Sequence, residues 1–452
     1  MTEARTDFDL IVIGGGSGGL AGAFRAASHG ARVALLEPSA LGGTCVNVGC
    51  VPKKAMWLAA EVAGKLRHAA TLGFPAADCA LDWPTFIAHR ERYIEGIHAS
   101  YRHRLDDAGI ALMPTRGTLL DARRVRTGEG LVLSTSHILI ATGGHPIKPE
   151  IPGAELGGVS DDFFAWRAPP PTVTIIGGGY IAVELAGVLQ TLGSRVSLRV
   201  RGPELLPGFD HEITAQLIDD YRHLGVDVQL STPTTAIERV DGGLRVRGDG
   251  DGWSDPVEQV LFATGRRPNT QGLGLDAAGI AVDAQGFIPV DALNHTAVGG
   301  VYAVGDVTPS PALTPVAIAA ARRLMDRVFG GRPHAPLVLD DVPTVVFSHP
   351  PIGRVGLSER AARAIYGDDV YIARAGFRPM LNALSASPQR SLFKLVCTGE
   401  ERRVVGLHLL GDAADEMLQG FAVAMRRDIT LDDLHDTIAI HPTSAEEVVL
   451  MR

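Results

Sequence analysis

DFDLIVIGGGSGGLAGAFRAASHGARVALLEP, residues 7–38, decides how this chain folds. Phe8 to Ile13 is a short apolar, β-branched run, the pattern of a buried strand. It ends in Gly14-x-Gly16-x-x-Gly19. A helical stretch follows to about Gly30, and Ala31 to Glu37 reads as a second strand. A strand, glycine turn, helix and strand in this order form a dinucleotide-binding unit. The first glycine permits the tight turn, the second lets a pyrophosphate approach the backbone, and the third lets helix and strand pack closely. The helix N-terminus adds oriented N–H groups and a partial positive charge. Glu37, closing the second strand, is placed to accept hydrogen bonds from ribose hydroxyls.

The same unit recurs further along. Thr172–Ile176 reads as a strand, Gly177-x-Gly179-x-x-Ala182 follows, a helix runs to Gly193, and Arg195–Arg201 reads as the next strand. Two such units imply two separate dinucleotide domains. Counting as from Gly14 to Glu37, the equivalent position is Val200, with Arg201 next. An acid there would repel a 2′-phosphate and an arginine attracts one, so the second site is expected to prefer NADP(H). The plainer reading of Arg201 is a solvated strand-end charge. Arg199, two residues back, is expected to share its face, while Glu204 works against a phosphate. HILIATGG (His137–Gly144) and QVLFATGR (Gln259–Arg266) each read as a buried strand closing one unit.

The bulk composition fits this picture. The chain has 452 residues, 46% hydrophobic and 21% charged, as in ordinary globular proteins. Gly accounts for 53 of them, above the roughly 7% norm. The formal net charge is -9 and no basic stripe is visible, so nucleic acid is not an expected partner. Met1 to Asp9 is polar and acidic, unlike a signal peptide. No run of about 20 apolar residues exists, so no membrane span is expected, and the cytoplasm is the default compartment. Four cysteines in this length do not make a disulfide scaffold. Cys79 and Cys397 stand alone and read as small buried or neutral residues.

Leu41 to Lys54 reads LGGTCVNVGCVPKK. Five steps of regular helix, from Cys45 to Cys50, rise about 7.5 Å, beyond the roughly 7 Å that a disulfide spans between Cα atoms. A disulfide here demands a distorted first turn, which Gly49 can supply. Intracellular disulfides are mostly catalytic or redox-sensing. Metal binding is the rival reading, but no second Cys/His pair has ligand spacing. A pair of buried free thiols is the plain alternative.

GGTCVNVGCVPKK resembles the redox-disulfide signature of the pyridine nucleotide–disulfide oxidoreductases, and within them the glutathione-reductase branch. The likeness continues through GGGYIAVELAG (Gly177–Gly187), GVYAVGDV (Gly300–Val307), LTPVAIAA (Leu313–Ala320), FSHPPIG (Phe347–Gly353), DEMLQGFAVA (Asp415–Ala424) and IAIHPTSAEE (Ile438–Glu447). It covers essentially the whole chain. The resemblance implies an α/β fold of two dinucleotide-binding, Rossmann-like domains plus a C-terminal α+β dimerisation domain. Residues 1–144 would bind FAD, 145–266 NADPH, 267–340 would complete the FAD site, and 341–452 would form the dimer interface.

Its implied chemistry is electron flow from NADPH through FAD to Cys45 and Cys50. Cys45 would attack the substrate disulfide and Cys50 would lie against the flavin. His441, oriented by Glu446 and reaching over from the other subunit of a homodimer, would serve as acid–base. Thr443-x-x-Glu446 also fits a helix capping box, a purely structural role. Tyr180 would cover the nicotinamide pocket, and Glu184 would pair with Lys53 beside the flavin. FAD contacts are expected at Gly14, Gly16, Ser17, Gly18, Gly19, Glu37, Thr44, Gly117, Thr142, Gly143, Asp306 and Thr314. NADPH contacts are expected at Gly177, Gly178, Gly179, Ile181, Arg201 and Gly265.

For substrate, the resemblance implies glutathione disulfide, held by Ala21, Phe24, Tyr101 and Arg322. Two positions depart from the pattern. Phe24 falls where glutathione reductases usually carry a polar or basic residue and the trypanothione enzymes a large aromatic. That removes one carboxylate partner and keeps trypanothione, dihydrolipoamide or another small disulfide as alternative substrates. Pro207 stands where the family usually has a second basic residue for NADPH. The loss narrows the expected preference over NADH without abolishing it, because Arg201 remains and Val200 is not an acid.

Overall fold

Leu10, Ile11, Val12 and Ile13 alternate between two apolar clusters, and this alternation builds the first sheet. In a computed structural model, which describes residues 7–75, 80–250, 252–333 and 336–452, Phe8–Ile13 is its central strand. Leu10 and Val12 pack with Leu20, Ala23 and Leu324, while Ile11 and Ile13 pack on the opposite face with Leu119, Val125 and Leu133. Burying each such side chain contributes about 1.5–3 kcal/mol. A sheet covered on both faces is what parallel strands require.

The strand order in that sheet is Ala111–Met113, Val33–Leu36, Phe8–Ile13, Val132–Ile140, Arg124–Thr127, Gly117–Asp121. The first four are mutually parallel, and Val301–Ala303 pairs in parallel with the end of Val132–Ile140. The last two strands are antiparallel additions.

The second sheet repeats the parallel core: Asp227–Gln229, Arg195–Arg199, Thr172–Ile176, Gln259–Phe262, with Gly158–Val159 at the edge. The expected strands Phe8–Ile13 and Thr172–Ile176 are found with those bounds. The strand expected at Arg195–Arg201 stops at Arg199. A third, antiparallel sheet orders Thr344–Val346, Ile352–Gly356, Arg403–Leu410, Ser391–Thr398 and Val370–Phe377, and carries the helix Ala414–Met425.

The chain divides into two compact units: Met1–Lys53, Thr85–Ile147 and Arg266–Leu339 form one, and Lys54–Pro84, Lys148–Gly265 and Asp340–Arg452 the other. Within the second, Lys394 is buried, yet its ammonium meets Glu359 at 2.7 Å, Glu212 at 2.9 Å and Asp210 at 3.0 Å. Removing one partner of a buried ion pair typically costs about 3–5 kcal/mol, so this cluster ties the helix His211–Leu224 to the antiparallel sheet. Cys397 is buried, as expected, and burial pushes its thiol up to about 11; Cys79 lies outside the described residues. No helix of the described residues is long and apolar enough to cross a membrane.

Candidate active site

The two glycine loops set up the site. Gly14 has φ +107° and Gly177 φ +145°, and a Cβ on either would strike a carbonyl oxygen, Ala141 at 2.4 Å or Ala263 at 2.3 Å. Side chains are therefore excluded at both turns. Each loop runs into a helix, Ser17–Ser28 in the first case and Tyr180–Thr191 in the second. The Glu37 carboxylate accepts the N–H of Gly15 at 2.6 Å and of Ser39 at 2.8 Å. It is thus held at the loop, where an acid suits a ribose. The loop, the helix N-terminus and Glu37 fit the adenosine and pyrophosphate of FAD.

Other expected FAD contacts gather in the same unit. Thr142 donates its hydroxyl to the Asn269 carbonyl at 2.7 Å, and Asn269 returns a bond to the Thr142 carbonyl at 2.9 Å. Gly143 accepts the Asn269 N–H, and Gly117 is buried at the start of a partly buried edge strand. Arg266 donates to Thr44 Oγ1 at 3.3 Å and to the Gly144 carbonyl at 2.5 Å. Burial raises the Asp306 carboxyl above its usual range, and the charge of Arg266 opposes that rise. Sequence reading did not single out Arg266. Its signal was the second half of the Ala-Thr-Gly-Arg motif, quoted only as a strand end.

The cysteine pair lies where two helical pieces meet. Gly43–Asn47 carries Cys45 and Cys50–Ala69 starts at Cys50. Val48, at φ -142° and ψ 34°, breaks the helix between them. A Cβ on Gly49 would sit 2.7 Å from the Thr44 carbonyl oxygen, so only glycine lets the pieces close this tightly. The distortion that a joined pair needs is therefore present. Asn47 bridges the break from within, donating to Gly43 and Leu41 carbonyls at 2.9 and 3.1 Å, and its Oδ1 meets His98 Nε2 at 2.8 Å.

The side chains of Cys45 and Cys50 are in contact with each other. The hydrogen bond to Cys50 and burial push the Cys45 thiol well above its usual range, against the hydroxyls of Thr314 and Ser17, which lower it. Thr314 Oγ1 also lies 3.8 Å from Cys50 Sγ. Thr314 opens the helix Thr314–Val328, and Cys50 opens its own, so two positive helix ends converge on Cys50. Such a field favours a thiolate at Cys50. Ser17 and Thr314, expected as FAD contacts, thus stand beside the sulfurs as well. Lys53 follows Cys50 in the same helix turn, its N–H bonded to the Gly49 carbonyl.

Ala21 is buried and Phe24 half-buried on the helix Ser17–Ser28; Tyr101 is half-buried on the helix Trp83–Asp107, and Arg322 is exposed on Thr314–Val328. Phe24 and Tyr101 pack against the same apolar cluster.

In the other unit, Gly178 and Gly179 continue the second loop, Ile181 enters its helix, and Gly265 ends the closing strand's turn. Tyr180 starts that helix and is 46% exposed. Glu184, buried one turn on, accepts the N–H of Phe347 at 2.9 Å. Val200 is buried and Arg201 exposed. Arg199 does not join Arg201: the strand ends there, the alternation lapses, and Arg199 is buried with its charge disfavoured by desolvation. Glu204 faces His211 at 4.0 Å and Arg360 at 3.9 Å, which blunts its opposition to a phosphate.

His441 Nδ1 donates to Glu446 Oε2 at 2.9 Å, and its ring is 79% exposed. Glu446 also accepts the Thr443 N–H, and Thr443 Oγ1 accepts the Glu446 N–H, each at 3.3 Å. One carboxylate therefore closes the Thr443 turn and holds the ring, although the helix Glu446–Leu450 itself begins after Ala445 without a side-chain cap. A ring held through Nδ1 leaves Nε2 as the nitrogen turned to other partners.

A glycine-loop sheet repeated twice, with a dithiol beside the first, defines a nucleotide-dependent thiol–disulfide oxidoreductase. Residues 8–321 match the pyridine nucleotide-disulphide oxidoreductase family, and residues 342–452 match the dimerisation domain of that family. The chain belongs to the pyridine nucleotide-disulphide oxidoreductases. It is 41% identical to the glutathione reductase of Yarrowia lipolytica, over 98% of this chain and 99% of the relative. It is 42% identical to that of Schizosaccharomyces pombe, over 98% of each, and 42% identical to that of Burkholderia cepacia, over 99% of this chain and 98% of the relative.

Proposed function

We propose that this chain is a homodimeric, FAD-dependent enzyme that reduces glutathione disulfide with NADPH, giving two glutathione thiols. The observation that carries the reading is the contact of Cys45 with Cys50 at a broken helix, with Thr314 and the first glycine loop alongside. FAD, when bound, relays two electrons from NADPH to the Cys45–Cys50 disulfide.

The chain's own residues do the rest. His441 Nε2 takes the proton of Cys45, and the Cys45 thiolate attacks one sulfur of glutathione disulfide. That S–S bond breaks, a mixed disulfide forms at Cys45, and the departing thiolate takes the proton from His441. The Cys50 thiolate then attacks the Cys45 sulfur, restores the Cys45–Cys50 disulfide and releases the second glutathione as a thiolate, which takes a proton from solvent. Lys53 and Glu184 serve the flavin end, and Tyr180, half-exposed, serves as the lid over the nicotinamide pocket.

Domain roles follow the sequence reading: 1–144 for FAD, 145–266 for NADPH, 267–340 completing the FAD site, and 341–452 for the dimer. Leu58, Val62 and Leu66 form a stripe at helical spacing, each more than two-fifths exposed; Val423, Ile438 and Ile440 are more than three-fifths exposed. Apolar surface of this kind suits burial against a second copy, which would also bring His441 to the partner's cysteines. Thiol regeneration belongs in a reducing compartment, so we place the enzyme in the cytoplasm.

Anaerobic NADPH titration with a panel of disulfides tests the reading. Wild type should develop long-wavelength thiolate-to-flavin absorbance and turn over glutathione disulfide fastest. Cys50→Ser should lose that absorbance and about 1,000-fold or more of the activity, as when a nucleophile is removed. Faster turnover of lipoamide or trypanothione disulfide would reject the substrate assignment.

A further inference from the structure

Phe24 removes a carboxylate partner from the helix Ser17–Ser28, and the structure places a different cation over it. The guanidinium carbon of Arg104 lies 4.5 Å from the centre of the Phe24 ring. An arginine stacked on an aromatic face keeps its charge and its outward N–H groups while losing freedom of motion. Arg104 is exposed, and no carboxylate among the described residues pairs with it. Asp107, three residues on, is engaged by His103 at 3.3 Å.

The position along the helix Trp83–Asp107 is also right. His98 touches Asn47, two residues past Cys45. Tyr101 and Arg104 follow at successive steps of three, so Tyr101 neighbours both His98 and Arg104 on the helix surface. Six residues of helix carry the chain about 9 Å along its axis. From the central sulfur of a glutathione half, the γ-glutamyl arm runs eight bonds to its α-carboxylate, about 10 Å when extended. A glutathione half whose sulfur is at Cys45 can therefore bring a terminal carboxylate to the level of Arg104.

Resting on the glutathione reading above, we infer that Arg104, laid flat on Phe24, is a specificity-determining residue that binds a substrate carboxylate. It selects anionic disulfides and repels polyamine-linked ones. The aromatic at position 24 acts as a platform for the cation rather than as the mark of a cationic substrate.

Steady-state kinetics at saturating NADPH test this, with flavin absorbance and melting temperature confirming each variant's fold. Arg104→Ala should raise KM for glutathione disulfide about tenfold with kcat held within about twofold, the loss of one exposed charge-assisted contact. Arg104→Lys should recover part of the loss. Arg104→Glu should raise that KM further and lower KM for trypanothione disulfide. If Arg104→Ala and Arg104→Glu keep the wild-type KM in an enzyme that reduces glutathione disulfide, the inference is wrong and the proposed function stands. A wild type that does not reduce glutathione disulfide overturns both.

Discussion

The loops Gly14–Gly19 and Gly177–Ala182 have one backbone plan and different side chains. In each, the first glycine N–H bonds to the neighbouring strand's end, Leu36 or Arg199, at 2.9 Å. In each, the third loop residue's carbonyl starts the helix, Gly16 to Leu20 at 2.9 Å and Gly179 to Val183 at 3.1 Å. A Cβ on Gly15 would meet Glu37 at 2.9 Å, and one on Gly178 would meet Val200 at 2.6 Å. So Val200 fills the slot that Glu37 fills, and an alkyl group replaces a hydrogen-bonded carboxylate. The lesson is that the fold fixes where a nucleotide's phosphates go, while one strand-end residue decides which ribose is accepted.

The largest difference between the loops is steric. A Cβ on Gly19 would lie 1.8 Å from the Gly14 carbonyl oxygen, yet the equivalent Ala182 carries one. The second helix must therefore stand further from its turn. Gly19→Ala should give protein without flavin, or none that is soluble. Ala182→Gly should cost only the usual helix-glycine penalty of about 1 kcal/mol, with KM for NADPH unchanged. Flavin absorbance at purification and thermal melts read both. A yellow, active Gly19→Ala variant would show that the two loops are equally roomy.

A smaller effect comes from making the second loop resemble the first. Val200→Glu should place a carboxylate where a 2′-phosphate would lie and cut kcat/KM for NADPH about 100-fold. The value for NADH should hold or rise, since an acid accepts the free ribose hydroxyls. An equal fall for both coenzymes would mean that the buried charge damages the domain rather than its selectivity.

How much of this was legible beforehand differs between local and distant features. Phe8–Ile13 and Thr172–Ile176 were readable to the residue because apolar β-branched runs end abruptly in glycine. The break between the cysteines was readable because helix rise and disulfide reach conflict. Lys394 was not. In SLFKLVCT it looks like a solvent-facing strand residue, and only partners 35 to 184 positions away explain its burial. Arg199 was misread because alternation was carried past the strand's end. Arg266 and Arg104 were invisible because their partners come from other segments. The antiparallel extension Gly117–Thr127 of the first sheet was missed although its pairings are local, because its short strands are broken up by Asp121, Arg123, Arg124 and Arg126. Local sequence reports the element, and long-range pairing decides what its side chains meet.

The smallest expected effect lies at Pro207. It is exposed in the loop that follows Arg201, and the N–H of its neighbour Leu206 bonds to the Gly178 carbonyl at 2.7 Å. That bond ties this stretch of loop to the coenzyme loop, close enough for a second cation to serve the same phosphate. Pro207→Arg should therefore lower KM for NADPH about three- to tenfold, less than a full buried contact because water screens an exposed pair. KM for NADH should not move, since NADH lacks the 2′-phosphate that the added cation would attract. Raising the salt concentration should erase the gain. If NADH benefits equally, the change has acted on the loop's shape, and charge at this position does not separate the two nucleotide sites.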